Sequence, residues 1–236
     1  DRSVRNMVPS GVSTAELLRA SGAEAAPRLR SFSACSVELA EKGARALAAT
    51  GWRLEELDLF DALLDRAGIV PLAAAPNFVI RRLNLRRCGL AAASLLHIAN
   101  APWPLEELNL SFNDLSAASA APALVALSRH RGLRRLDVGY CELSAAGFKA
   151  LAEANWPALV SLRACRAKVT FDGPHALGPA AFGGFPALEE LDLSEVALSE
   201  AGARLLASRR WARLRALSLF NCGIGENVVA TLARGA

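Results

Sequence analysis

The stretch LEELNLSFNDL, Leu105 to Leu115, decides the fold. It reads L-x-x-L-x-L-x-x-N-x-L, with apolar residues at its first, fourth, sixth and eleventh places. The same frame opens at Leu29, Leu54, Ile80, Leu105, Leu133, Leu159, Leu188 and Leu214, at spacings of 25, 26, 25, 28, 26, 29 and 26 residues. Self-similarity at a period of this length means that each unit stacks on its neighbours in a quasi-linear solenoid. One register spans nearly all of the 236 residues, which points to a single domain.

Each unit divides into two halves. The first is a short strand, x-L-x-L-x, whose fourth and sixth residues face a core because strand side chains alternate faces. These are Leu57 and Leu59, Leu83 and Leu85, Leu108 and Leu110, and so on to Leu217 and Leu219. The second half carries alanine and leucine at helical spacing. In Leu198 to Trp211, LSEAGARLLASRRW, Ser199 is placed to cap a helix. There Leu205 and Leu206 face inward, and Arg209 and Arg210 occupy the last turn. Strands joined through helices must run parallel. The expected fold is therefore an α/β solenoid, horseshoe-shaped, of about eight repeats at 29–236. Its parallel sheet lines the concave face and its helices the convex face. Residues 1–28 read as a degenerate N-terminal capping repeat with Arg5 and Met7 at its strand positions.

With these motifs in place, the chain resembles the ribonuclease-inhibitor-like class of leucine-rich repeats. Its LS-x-x-G-A-x-x-L segments are similar to the GALA-type repeats of some F-box effectors. The resemblance implies a curved scaffold that binds proteins on its concave sheet. The ninth position departs from the expected Asn or Cys at Val37, Ala62, Ala167 and Val196.

Other features follow from the frame. Trp52, Trp103, Trp156 and Trp211, with Phe78 and Phe185, precede a repeat's opening residue and read as plugs between a helix and the next strand. Acidic and basic pairs alternate at positions two and three: Glu55-Glu56, Arg81-Arg82, Glu106-Glu107, Arg134-Arg135. On parallel strands they read as a cross-strand ion-pair ladder of ~0.2–1 kcal/mol per pair, with partial use of the third-position charges by a ligand as the alternative. The stretch 170–186, TFDGPHALGPAAFGGFP, with its glycines and prolines, breaks the helix of repeat 6. It reads as a longer convex loop, with an auxiliary contact site as the alternative.

Cys88, Cys141 and Cys222 occupy the inward ninth position of repeats 3, 5 and 8, which are not neighbours and cannot pair as disulfides. Cys35 and Cys165, at the seventh position, are expected to be exposed. Exposed thiols and an odd count of five point to a reducing, intracellular compartment, the cytoplasm, with a processed organellar protein as the second reading. The chain opens on Asp1 rather than Met, which fits processing or excision from a longer chain. It contains no apolar run of membrane-spanning length.

No catalytic set is legible. His97, His130 and His175 lie in separate repeats without a carboxylate or thiol at triad or ligand spacing, and each reads as solvent-facing. No cofactor or metal is expected. A net charge of +4 is mild for a nucleic-acid binder. A basic group at Arg81, Arg82, Arg86 and Arg87 is interrupted by Glu106 and Glu107, which argues against a phosphate track.

Function is thus expected on the concave face, at positions five, seven and eight. Aromatic residues interleaved with arginine match the types enriched at interface hot spots. The candidate partner-binding residues are Phe60, Asp61, Arg86, Arg87, Phe112, Tyr140, Arg163, Arg166 and Phe220, with the partner lying across repeats 2 to 6. The expected function is that of a non-enzymatic scaffold for a protein partner. The alternatives are an adaptor of an enzyme, such as a ubiquitin-ligase substrate receptor or a GTPase regulator, and a structural subunit of a large assembly.

Overall fold

The period-two alternation of each repeat becomes a three-residue strand. The computed structural model describes residues 4–5, 29–169 and 176–235. Among them nine strands form one sheet in chain order, every neighbouring pair parallel. They are β1 (Val4–Arg5), β2 (Ser31–Ser33), β3 (Glu56–Asp58), β4 (Arg82–Asn84), β5 (Glu107–Asn109), β6 (Arg135–Asp137), β7 (Ser161–Arg163), β8 (Glu190–Asp192) and β9 (Ala216–Ser218). Fourth-position residues stand side by side: Phe32, Leu57, Leu83, Leu108, Leu136, Leu162, Leu191 and Leu217. Most of the expected capping repeat lies outside the described residues. In β1 the pairing sets Val4, not Arg5, opposite Phe32. The register is one residue earlier than expected and gives the fourth place an apolar residue.

Among the described residues six helices return the chain between strands and a seventh follows β9: α1 (Ala40–Ala48), α2 (Asp65–Ala73), α3 (Ala92–Asn100), α4 (Ala120–Leu127), α5 (Ala145–Glu153), α6 (Glu200–Ala207) and α7 (Glu226–Gly235). The LS-x-x-G motif is a helix start. Ser144 and Ser199 accept hydrogen bonds from the amides of Gly147 and Gly202, each at 3.3 Å. Helix α6 ends at Ala207, so Arg209 and Arg210 lie beyond its last turn. The last-turn cation is Arg204, paired with Glu200 at 2.6 Å. Leu206 is buried and Leu205 half-buried against the core.

The core fills the space between sheet and helices. Trp52, Trp103 and Trp156 are buried, as are Phe78 and Phe185, and Trp211 packs against the core from a half-buried position. Trp156 and Trp211 each donate an indole hydrogen bond to the carbonyl five residues earlier, Leu151 at 3.1 Å and Leu206 at 2.9 Å. The aromatic thus ties its helix to the approach of the next strand. At the other end, Leu217 is 38% exposed and Leu219 half-buried, although both were expected in the core. Their strand is β9, and no described strand stacks on its outer side.

Position nine stitches repeats together. Asn113 is buried and saturated. Its side-chain oxygen accepts from the amides of Cys88 and Leu90, both at 3.0 Å, and its amide group donates to Leu85 and Leu110 at 2.8 and 2.7 Å. Cys88, Cys141 and Cys222 reproduce half of this. Each thiol donates to the sixth-position carbonyl of the preceding repeat: Leu59 at 2.9 Å, Leu110 at 3.0 Å and Leu193 at 3.1 Å. Burial pushes the Cys88 and Cys141 thiols up to about 12 and raises Cys222.

Repeat 6 departs from the pattern as its glycines and prolines predict. Residues 176–187 contain no helix. Their place in the helix layer is filled by Phe182, whose ring meets Phe148 at 6.3 Å, Phe185 at 5.9 Å and Trp211 at 5.8 Å. Gly184 permits the close approach. A Cβ there would fall 2.2 Å from the Ala154 carbonyl oxygen. Arg209 donates to the Pro179 carbonyl and anchors the segment from the far side.

Candidate concave-face interaction site

Strands β2 to β9 each run into the same turn. The position-five side chains of Asp58, Asn84, Asn109, Asp137 and Asp192 accept a hydrogen bond from the amide two residues on, at 2.9 to 3.1 Å. Position eight then takes left-handed backbone in all eight repeats: Ser36, Asp61, Arg87, Phe112, Tyr140, Arg166, Glu195 and Asn221 have φ between 52° and 61°. Such a conformation is uncommon for bulky residues such as Phe112 and Tyr140. The consequence is a division of labour. Position five, expected to present side chains to a partner, is largely spent on the turn, and Asn84 also donates to Asp58 at 2.9 Å. Positions seven and eight are left to line the rim of the sheet.

Along that rim four of the candidate residues meet. The Arg86 guanidinium lies over the Phe112 ring at 4.4 Å and near the Phe60 ring at 5.7 Å. Phe112 stacks on Tyr140, with centroids 4.6 Å apart and an interplanar angle of 13°. The Tyr140 hydroxyl donates to Glu195 at 2.5 Å. One continuous stack thus runs Phe60, Arg86, Phe112, Tyr140, Glu195 through repeats 2, 3, 4, 5 and 7. Glu195 is the member that was not among the candidates. Its contact with Tyr140 spans 55 residues, beyond the reach of any local pattern.

The other candidates are placed differently. Asp61 and Arg87 form an ion pair with each other at 3.2 Å. Arg163 sits between two carboxylates, Asp137 at 3.3 Å and Asp192 at 3.4 Å. Arg166 is exposed. Phe220 is 73% exposed at the end of β9 and makes no ring contact with the stack. Cys165, expected to be exposed, is buried. It lies in repeat 6, beneath the Tyr140–Glu195 bridge that joins repeats 5 and 7. Its neighbour in repeat 5 is Gly139, where an added Cβ would lie 3.6 Å from the Cys165 sulfur. Burial and the Asp192 carboxylate push its thiol up to about 12. Cys35 is exposed as expected.

Charge on this face is mostly neutralised internally. Position-two pairs Arg30–Glu55 and Arg81–Glu106, at 3.4 and 2.5 Å, alternate with position-three pairs Glu56–Arg82 and Glu107–Arg135, the latter at 2.7 Å. Each therefore bridges a different repeat interface from 1–2 to 4–5. Arg163 bridges 5–6 and 6–7, and Arg215 with Glu189, at 4.0 Å, bridges 7–8. Burial raises the Asp137 carboxyl despite its bond from Gly139 and the nearby Arg163. At Asp192, burial acts in the same sense but is outweighed by hydrogen bonds from Ser194, Cys165 and Arg163, which leave that carboxyl below its ordinary value.

Between the two sides of the sheet face runs an open groove of about 590 Å³, floored by β2 to β7. Among the described residues no group of three or more His, Cys, Asp or Glu side chains is arranged to hold a metal ion. His130, expected to face solvent, is half-buried, with its ring nitrogens 3.1 Å from the Trp103 carbonyl and 3.0 Å from that of Ile98. It serves as a tie between repeats 3 and 4. His175 lies outside the described residues. No described helix is long and apolar enough to cross a membrane.

Comparison with known proteins agrees with this architecture. The family profile described as "Leucine Rich repeat" matches residues 104–121 and 131–152. No curated protein matches the sequence. Among solved structures the chain is similar to "Crystal structure of TLR13-ssRNA13 complex", with a TM-score of 0.51 and 19% identity over 86% of this chain and 31% of that one. The chain therefore spans about a third of that relative, and the likeness carries the fold alone. With the repeat frame, the nine-stranded parallel sheet and these matches together, the chain is a leucine-rich repeat protein.

Proposed function

We propose that this protein is a non-enzymatic scaffold whose protein partner lies across the sheet face of repeats 2 to 6 and anchors on the Phe60–Arg86–Phe112–Tyr140 stack. One observation carries the reading. Side chains from four different repeats converge into a single stack at the rim of an open groove, and Phe112 remains 42% exposed within it. Aromatic and arginine anchors of this kind dominate interface energetics. A shallow, open groove suits a helix or a loop cluster better than a small metabolite, which wants an enclosed pocket. Leucine-rich repeat proteins generally mediate interactions, and that analogy supports the class of function without choosing the partner.

The solved relative was crystallised with single-stranded RNA. In this chain Arg81, Arg82 and Arg87 each hold a carboxylate, which favours a protein partner over a phosphate backbone. Affinity capture from the native source, run in parallel with wild-type bait and with a Phe112→Ala, Tyr140→Ala bait, tests the proposal. A partner recovered by the first and lost by the second supports it. Equal recovery by both refutes it.

A further inference from the structure

We infer that Arg86 is a carboxylate-reading subsite of this face, built to take an Asp or Glu side chain of the protein partner; the inference rests on the concave-face reading above. Three observations lead to it. First, Arg86 stands apart from the cations around it. Arg81, Arg82, Arg87 and Arg135 each hold a carboxylate from a neighbouring repeat, whereas no described carboxylate lies within ion-pair distance of Arg86, and Asp137 acts on it only as a longer-range charge. Its Nε is buried and has no hydrogen-bond partner among the described residues. A buried donor left unmatched is costly, and a native structure that keeps one keeps it for a reason.

Second, the guanidinium is fixed in place. Phe112 holds one face at 4.4 Å, with Phe60 at 5.7 Å. Phe112 is in turn held by its stack on Tyr140, and Tyr140 by its bond to Glu195. Aromatic contacts on the faces of a guanidinium leave its N–H groups pointing out of the stack, in the plane of the fork. That fork matches a carboxylate bidentately, and pre-organisation means that little side-chain freedom is lost when the bond forms.

Third, the surrounding charge selects a monoanion. Arg87 is neutralised by Asp61, Arg163 is shared between Asp137 and Asp192, and Arg166, which holds no described carboxylate, lies three repeats further on, where its charge acts on Tyr140. A phosphate group, with close to two charges, would want a second unpaired cation beside Arg86. A single carboxylate needs only the one that is present.

The test uses the full chain with isotope-labelled arginine. The Arg86 side-chain N–H resonance is assigned by its disappearance in Arg86→Lys, and circular dichroism verifies that this variant stays folded. The probes are N-acetyl-glutamate N-methylamide, its glutamine counterpart and inorganic phosphate. The expected result is a saturable shift of the Arg86 resonance with the glutamate probe. The glutamine probe should bind about tenfold more weakly or not at all, as expected for losing one charged hydrogen-bonded contact. Phosphate should bind no more tightly than the carboxylate. An Arg86 resonance that stays still, or that moves only as the paired arginines do, overturns the inference. So does a phosphate affinity about tenfold above that of the carboxylate. The scaffold reading is tested separately by the Phe112→Ala, Tyr140→Ala bait. If that bait loses the partner while Arg86 ignores carboxylate, only the present inference falls.

Discussion

Tyr140 donates its phenolic hydrogen to Glu195 at 2.5 Å across 55 residues of sequence, and in doing so joins repeats 5 and 7 over the top of repeat 6. It is the chain's single tyrosine, so tyrosinate absorbance reports on this bond alone. The bond to Glu195 raises the phenol above its ordinary 10.0, because ionisation would set a phenolate beside a carboxylate. A raised folded-state value means that the contribution is complete below pH 10.0 and is lost as pH rises through the raised value. Alkaline titration of the wild type should show the tyrosine ionising above 10.0, and Glu195→Gln should bring it back towards that value. An identical curve for both would remove the bridge.

The thiols give a second test. Four of the five cysteines are buried and only Cys35 is exposed. Native-state alkylation should therefore modify Cys35 alone, with the other four reacting only after denaturation. Rapid labelling of Cys165 would show that repeat 6 is open beneath the Tyr140–Glu195 bridge. Because Cys88, Cys141 and Cys165 are pushed from 9.0 to about 12, folding keeps them protonated where the unfolded chain would ionise. Stability from these groups is complete below pH 9.0 and declines as pH rises towards 12. Denaturation midpoints measured across that interval should fall steadily.

Asn113 makes a third prediction. Its four bonds satisfy two amides and two carbonyls of repeats 3 and 4. Asn113→Ala strands all four, at about 1–3 kcal/mol for each buried group left unpaired, and should cost about 3 kcal/mol or more in chemical denaturation. Asn113→Cys restores the donor to the preceding repeat, as Cys88 and Cys141 do, and should recover part of the loss. A cost below about 0.5 kcal/mol for Asn113→Ala would mean that the turn is held by other means.

These features differ in how far local sequence reveals them. The leucines at positions one, four and six declare strand, face and register because a period of two within a period near 26 admits one arrangement. The alternating Glu and Arg pairs likewise announce their ladder, since parallel stacking sets equal positions side by side. The break in repeat 6 is written in its glycines and prolines, but its filling by Phe182 is not, because that depends on Phe148 and Trp211 from two other repeats. Position eight looks like an ordinary exposed site in sequence. Its left-handed backbone, common to all eight repeats, turns Phe112 and Tyr140 onto one another. The burial of Cys165 follows from Gly139 in repeat 5 and from a bridge that begins at Tyr140, neither of which its own repeat contains. Arg163 was readable as a binder from composition, yet Asp137 and Asp192 at the same position on either side claim it first.

The central claim is that the partner docks on the aromatic–arginine stack of the sheet face. The most direct measurement is the affinity of the captured partner for two variants, Phe112→Ala with Tyr140→Ala and Arg86→Ala with Arg87→Ala. A convex-face control, Leu96→Ser with Val125→Ser, changes residues 41% and 48% exposed on α3 and α4. The account predicts that each stack variant loses about 2 kcal/mol or more of binding while its melting temperature stays near wild type, and that the control binds normally. Normal binding by both stack variants, with loss in the convex control, would contradict it.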